Sequence, residues 1–178
     1  MDKTNRHVIT GAPCSGKTAV ICGLEQLGYR VVHESARAYI DEELQKGKSI
    51  SRIKSDILSF ESHILYKKIE IENRLPKNEL IFFDRAVPDS IGYYLLEGLN
   101  PEEPIIKSKQ QVYKKIFFFE RLSFEKDEVR SEDDLIAARL DTLLKESYQM
   151  LGYDIIPVPL MTVEERIQFI VNSCHDFI

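Results

Sequence analysis

The chain has 178 residues, which is enough for one domain that buries its own core without disulfides or metal. Its 29 acidic and 24 basic side chains give a formal net charge of −5, and this acidic balance disfavours a nucleic-acid partner. The longest apolar runs have four residues, far fewer than the ~20 that span a bilayer, so we expect no membrane insertion. The start shows no signal-peptide pattern, and the three cysteines form no CxxC pair, so we expect reduced thiols and a cytoplasmic protein.

Short apolar runs alternate with longer amphipathic stretches, which is typical of an α/β domain with three layers (αβα) and a mainly parallel five-stranded sheet. In chain order, the pattern predicts a strand at about 7–10, a helix at 17–27, a strand at 30–33, helices at 35–46 and 51–74, a strand at 80–83, a helix at 89–96, a helix restarting after Pro104, a strand at 115–119, a helix at 131–151, a strand at 154–158 and a helix from Thr162. We find no linker that divides the chain, so we expect one domain over 1–178.

The segment GAPCSGKT lies between the first predicted strand and helix and fits the pattern GxxxxGK[ST] of a phosphate-binding loop. Such a loop turns main-chain N–H groups toward phosphates, and the positive end of the next helix attracts them. We expect Lys17 to reach the β and γ phosphates and the Thr18 hydroxyl to ligate Mg²⁺. The predicted nucleotide-binding residues are Gly11, Ala12, Pro13, Cys14, Ser15, Gly16, Lys17, Thr18 and Ala19.

A magnesium–nucleotide site needs a second acid at the end of a neighbouring strand. Asp84 follows the apolar run 80–83 and is the natural candidate for the metal and for catalysis. Arg85 beside it could bind an anionic group of the substrate with two hydrogen bonds. The alternative for both residues is a turn that ends the strand with a solvent-exposed ion pair.

Glu34 closes the second predicted strand, where open α/β sheets bind their ligands. It could act as general base on a substrate hydroxyl, or it could be a carboxylate that interacts with the dipole of the next helix. Arg37 could share this substrate site or pair with Glu34 on the helix surface. Asp89, at the start of a predicted helix, is a further candidate for substrate binding.

The charged stretch after the fourth predicted strand, at about 120–132, is typical of a mobile lid that closes over phosphates. Arg121 and Lys126 are candidates for nucleotide binding, Arg130 is a candidate for catalysis, and Arg139 is a further candidate. A solvated run of charges is the alternative for this stretch.

Several segments of the chain together resemble one known family: VITGAPCSGKT, VVHESAR, IFFDRAVPDSIGYY, AARL and GYDIIPVPLMTVEERIQFI. They are similar to the P-loop domain of nicotinamide-riboside-kinase-like ATPases and TRPL-translocation-defect-like proteins, commonly called an AAA domain. The resemblance implies a P-loop NTPase fold of kinase type with a helical lid and with the first and third strands adjacent. It also implies that residues 11–18 bind ATP or GTP, that Asp84 serves the metal, and that Lys126 and Arg130 belong to the lid.

Two functions agree with these features. The first is an ATP-dependent kinase that transfers the γ-phosphoryl group to a small, nucleoside-like acceptor, with Lys17 and Mg²⁺ neutralising charge. The alternative is a regulatory ATP- or GTP-binding NTPase that acts through a protein or lipid partner. The chain lacks an NKxD motif and the DxxG spacing of regulatory GTPases, which disfavours the alternative.

Overall fold

A computed structural model of the protein describes residues 4–121 and 132–174. In chain order, the elements are β1 (Arg6–Thr10), α1 (Lys17–Gln26), β2 (Arg30–Val32), α2 (Ser35–Gln45), α3 (Ile50–Ile53), α4 (Ile57–Arg74), β3 (Ile81–Asp84), α5 (Asp89–Leu96), α6 (Glu102–Ser108), β4 (Lys115–Phe119), α7 (Glu132–Met150), β5 (Ile155–Val158) and α8 (Val163–Cys174).

The five strands form one parallel sheet in the order β2-β3-β1-β4-β5. The first and third strands are therefore adjacent, as the resemblance implies. In the register, Ile9 lies opposite Asp84, so the acid that ends β3 stands beside the end of β1. The phosphate-loop segment follows β1, and the parallel arrangement brings Asp84 and this loop to the same edge of the sheet.

Alternate residues of the central strands pack against helices on opposite faces of the sheet. On one face, Ile9 and Phe117 pack in a core with residues of α1 and α8. On the other face, Phe118 packs against Leu140 and Leu144 of α7. β3 and most of β4 are buried, so their apolar runs are continuous rather than alternating. β1 is also buried, although its sequence RHVIT contains Arg6, His7 and Thr10. The prediction of a three-layer αβα arrangement is confirmed.

Two predicted helix boundaries are wrong. The helix expected over 51–74 is divided into α3 and α4, because the Asp56 carboxylate accepts a hydrogen bond from Ser59 N at 3.0 Å and starts a new helix. Helix α6 begins at Glu102, ahead of Pro104, since proline is tolerated in the first turn of a helix. Both differences lie away from the phosphate loop.

Candidate active site

The loop between β1 and α1 begins at a position where only glycine fits. Gly11 has a φ of 136°, and a Cβ atom there would lie 2.5 Å from the main-chain oxygen of Phe119 in β4. That distance is shorter than a carbon–oxygen contact allows, and a side chain is strained at this φ in any case. The close approach therefore fixes the direction in which the chain enters the loop.

Helix α8 braces the same loop from the other side. Arg166 donates a hydrogen bond from Nη1 to the main-chain oxygen of Ser15 at 2.8 Å, and its guanidinium lies 5.2 Å from the centre of the Phe119 ring. A Cβ atom on Gly16 would come within 2.8 Å of Arg166 Nη1, so this glycine gives the arginine its space. Arg166 was not among the predicted site residues, because its contact with the loop depends on how α8 docks.

Lys17 is buried and its ammonium group lies against the loop. Its Nζ donates to the main-chain oxygen of Ala12 at 2.8 Å and to Ser15 Oγ at 3.0 Å. Burial lowers the pKa of Lys17 to about 8, and the nearby Arg85 guanidinium lowers it further, while neighbouring carboxylates oppose the shift. The pKa of the Lys17 ammonium group therefore lies only about one unit above neutral pH.

The residues on either side of Lys17 are open to solvent. Pro13, Cys14, Thr18 and Ala19 are exposed. Cys14 adopts a φ of 62°, a conformation that glycine adopts more easily, so the loop tolerates the cysteine at some cost in strain. Thr18 stands in the first turn of α1, which has no acidic side chain to compete for the positive end of the helix.

Asp84 ends β3 with its carboxylate directed into the protein. One oxygen, Oδ1, is buried and has no hydrogen-bond partner among the residues that the structure describes. Burial raises the pKa of Asp84 to about 6, and the nearby Glu34 carboxylate raises it too, whereas Arg85 and Lys17 counteract the shift. A carboxylate oxygen left without a donor fits a site for a hard cation such as Mg²⁺.

Arg85 is buried, so the alternative of a solvent-exposed ion pair is wrong for this residue. Its φ is 63°, and its main-chain N–H donates to Ile9 O at 3.1 Å, which turns the chain sharply after β3. Arg85 Nε donates to Glu34 Oε1 at 3.0 Å, and Nη1 lies 3.6 Å from Asp89 Oδ1. The guanidinium also packs 5.3 Å from the centre of the Tyr93 ring.

Asp89 has no surface exposed to a substrate. Its Oδ1 accepts a hydrogen bond from the Thr10 hydroxyl, and its Oδ2 accepts from Ala86 N at 2.8 Å and from the Tyr148 hydroxyl. The carboxylate thus ties the turn after β3 to the end of β1 and to α7. This geometry corrects the expectation of direct substrate contact and leaves Asp89 as a support for Arg85.

Glu34 and Arg37 differ in their surroundings. Glu34 precedes α2, makes no side-chain cap to it, and holds Arg85, with 28% of its side chain exposed. Arg37 is 79% exposed and pairs with Asp41 at 3.4 Å. Of the two alternatives for Arg37, the pairing with Glu34 is therefore wrong, whereas a place at the substrate site stays a prediction, since Arg37 lines the neighbouring cleft.

A cleft of about 380 Å³ opens beside these residues. It runs from Pro13 in the loop past Glu34 and Arg85 to helices α4, α5 and α7. Its lining also includes Glu61 and Lys68 of α4, two buried charged residues that the sequence analysis missed. The available signal was their spacing, since positions 61 and 68 share the inward stripe of α4 with the buried Leu65.

The predicted lid falls mostly outside the described residues, and Lys126 and Arg130 lie there. At its edge, Arg121 donates to the main-chain oxygen and to Oδ1 of Asp134, both at 2.9 Å. Arg139 is exposed on α7. Two residues further along, Asp141 accepts a hydrogen bond from Ala12 N at 2.7 Å, so α7 contacts the phosphate loop directly.

Within 4–121 and 132–174, no group of three or more His, Cys, Asp and Glu side chains could hold a metal ion. A cation at Asp84 would therefore take most of its ligands from phosphate oxygens, the Thr18 hydroxyl and water. In the same described ranges, no helix has both the length and the apolar character needed to cross a membrane.

Known proteins share this arrangement. The profile of a family described as "AAA domain" matches residues 6–166. No curated protein matches the chain. Similar solved structures include deoxyadenosine kinase from M. mycoides, 18% identical with a TM-score of 0.63, where the alignment covers 94% of this chain and 97% of that chain.

Two further solved structures have the same fold. Thymidylate kinase from Ehrlichia chaffeensis is 14% identical with a TM-score of 0.66, and the alignment covers 96% of this chain and 97% of that chain. A NadR protein in complex with NR is 14% identical with a TM-score of 0.72, covering 98% of this chain and 52% of that chain. At these identities the likeness shows the fold, and the prediction of a P-loop fold of kinase type is confirmed.

Proposed function

We propose that this chain, which belongs to the AAA-domain family, is a Mg²⁺-dependent nucleotide-binding kinase. It would transfer the γ-phosphoryl group of ATP, or of GTP, to a hydroxyl of a small, nucleoside-like acceptor. The observation that carries the proposal is the position of one cleft: it is lined by the phosphate loop at Pro13 and by Glu34 and Arg85. A donor on the loop and an acceptor in the cleft would lie side by side.

The nucleotide would bind through main-chain N–H groups of the loop and through Lys17, whose ammonium would exchange its contacts with Ala12 and Ser15 for phosphate oxygens. Thr18 and Asp84 would hold Mg²⁺, since one offers an exposed hydroxyl and the other an unpartnered carboxylate oxygen. The ion, when bound, supplies positive charge that offsets charge on the phosphates.

Glu34 is the proposed general base. The acceptor oxygen would form a bond to the γ phosphorus while the bond to the β–γ bridging oxygen breaks, and Glu34 would take the hydroxyl proton as ADP leaves. Arg85 would hold the Glu34 carboxylate in place through its 3.0 Å hydrogen bond. The cleft beside the loop favours this reaction over a regulatory NTPase that acts through a protein or lipid partner, because such a protein needs no acceptor cleft.

Thermal stabilisation by MgATP tests the nucleotide site. We expect MgATP to raise the Tm of the protein, because a ligand that binds only the folded state stabilises it. Lys17→Ala should lose this shift, whereas Lys109→Ala, at an exposed position outside the cleft, should keep it. A Lys17→Ala variant with the full shift would contradict the assignment, and ADP release that responds to none of the nucleosides tested would favour the regulatory alternative.

A further inference from the structure

Glu61 and Lys68 face inward from α4, although charged side chains are rarely buried without a partner. They lie on the stripe formed by 61, 65, 68 and 72, which repeats at helical spacing, and all four side chains are buried. Glu61 is 6% exposed and Lys68 is 4% exposed. Both line the cleft beside Glu34 and Arg85.

The two charges lie at different distances from the proposed transfer site. Lys68 Nζ donates to Ser90 Oγ at 3.2 Å, and among charged groups Asp89 and Arg85 affect its pKa most. Glu61 lies two helical turns away along α4, about 10 Å by helix geometry. Its charged neighbours, apart from Lys68, are Glu97 at the exposed end of α5 and Lys54. Glu61 therefore marks the end of the cleft remote from the phosphate loop.

The Glu61 carboxylate accepts no hydrogen bond from any group in the described ranges. Burial raises its pKa, and the Glu97 carboxylate adds to this shift, while Lys68 and Lys54 oppose it. The side chain is largely buried, and its oxygens have only the water of the cleft as donors, so the carboxylate is incompletely solvated. An apolar side chain at position 61 would avoid the cost of this incomplete solvation. A ligand with hydrogen-bond donors would supply the missing partners.

We propose that Glu61 recognises the end of the acceptor opposite to its reacting hydroxyl, and that this end is a non-anionic group with N–H donors, such as an exocyclic amine or an amide. The inference rests on the proposed kinase function, because it assigns a ligand to the same cleft. Glu97 at the rim reinforces the choice, since the two carboxylates outnumber the Lys54 ammonium that lines this end of the cleft. The net negative charge there disfavours a phosphate or a carboxylate of the ligand.

The test compares two nucleosides that differ in one amine. Adenosine carries an exocyclic amine and purine riboside lacks it, and steady-state ADP release gives kcat/KM for each with MgATP. A charge-assisted hydrogen bond predicts a preference for adenosine of about tenfold or more in the wild-type protein. Cytidine and its analogue without the amine form a second pair, and the preference should appear in at least one pair.

The variant Glu61→Met removes the carboxylate and fills its space with an apolar side chain. We expect the preference for the nucleoside with the amine to fall to about twofold or less, mainly through a change in KM. The Tm of the variant should stay the same or rise, and MgATP should still raise it. Glu70→Met is the matched control, because Glu70 lies on the exposed face of α4 with Arg74 and Lys67. That control should keep the wild-type preference.

The outcomes separate the two proposals. Two results with Glu61→Met would overturn the inference: the variant keeps the wild-type preference, or its Tm falls sharply, which would show a structural role for the carboxylate. Two results with the wild-type protein would also overturn it: it prefers the nucleosides without the amine, or it accepts none of the four nucleosides. Absence of a MgATP shift in the wild-type protein would instead overturn the proposed nucleotide site itself.

Discussion

The Arg85 guanidinium donates from Nε to Glu34 Oε1 at 3.0 Å, and this hydrogen bond joins the turn after β3 to the residue that precedes α2. The same guanidinium lies 3.6 Å from Asp89 Oδ1. One buried cation thus holds the proposed general base in position and also balances a fully buried acid. We expect stability and catalysis to depend together on this residue.

Arg85→Ala should lower the free energy of unfolding by about 3–5 kcal/mol, because it leaves the buried Asp89 without its cationic partner. Urea unfolding measures this change. Arg37→Ala is the control, since Arg37 is 79% exposed and its loss should cost no more than about 0.5 kcal/mol. Equal stabilities for the two variants would contradict the structural role of Arg85.

The affinity for MgATP should fall at alkaline pH. Below pH 8 the Lys17 ammonium is charged and binds phosphates, and above its pKa of about 8 the free protein loses this proton. Because the nucleotide favours the charged form of Lys17, binding above this pKa requires proton uptake. The increase in Kd should therefore approach about tenfold for each pH unit. Calorimetric titrations between pH 7 and 9.5 measure both the Kd and the proton uptake.

Lys17→Arg provides the comparison for this pH profile, because a guanidinium does not titrate in the range. The variant should bind MgATP more weakly but with a flat dependence on pH. A wild-type Kd that stays constant up to pH 9.5 would show that Lys17 keeps its proton and would contradict the prediction.

Gly11→Ala should disrupt the phosphate loop. The added Cβ would meet Phe119 O at 2.5 Å, in addition to the strain of a φ of 136°. We expect a loss of at least about 2 kcal/mol in the free energy of unfolding and a smaller MgATP shift. Gly47→Ala separates the two causes, since Gly47 also has positive φ but a Cβ there would meet no atom within 4 Å; its cost should be about 1 kcal/mol.

The free energy of unfolding should decrease as pH rises from about 4.5 to about 7 because of Glu72. Burial raises the pKa of Glu72 to about 7, although its hydrogen bonds from Tyr113 and Val87 act in the opposite direction. A carboxyl whose pKa is raised in the folded state stabilises the protein fully below its unfolded pKa of 4.5, and this stability is lost as pH rises toward about 7.

Glu72→Gln should remove this pH dependence, because the amide resembles the protonated carboxyl. Urea unfolding gives the free energy of unfolding of both proteins. The value for the variant minus the value for the wild-type protein should increase by about 1 kcal/mol per pH unit between pH 5 and 7 and should level off above about pH 7. A constant difference across this range would mean that Glu72 does not titrate there.

The sheet and the connection between β1 and α1 could be predicted because their signals are local. Strand β3 and most of β4 are buried, so each appears as an apolar run. The GxxxxGK[ST] pattern lies between α1 and β1, whose sequence RHVIT is only partly apolar. The division of α3 from α4 was missed, although Asp56 carries a capping signal. That signal competes with the apolar stripe that continues through it, and the sequence does not show which prevails.

The partners of the candidate site residues were less predictable. The proximity of Asp84 and Glu34 to the loop follows from parallel strands that end at one edge. The burial of Asp89 does not, because it depends on Thr10 and Tyr148, which are distant in sequence and meet only through tertiary packing. Glu61 could have been recognised as a charge on an apolar stripe, but only the packed structure shows the cleft that it lines.

The contact between Arg166 and Ser15 spans 151 residues. A ribosome therefore releases the loop long before it releases the side chain that braces it. During translation, the nascent chain lacks this hydrogen bond to the loop until α8 has been synthesised and has docked. The final shape of the loop between β1 and α1 therefore depends on the last helix of the chain.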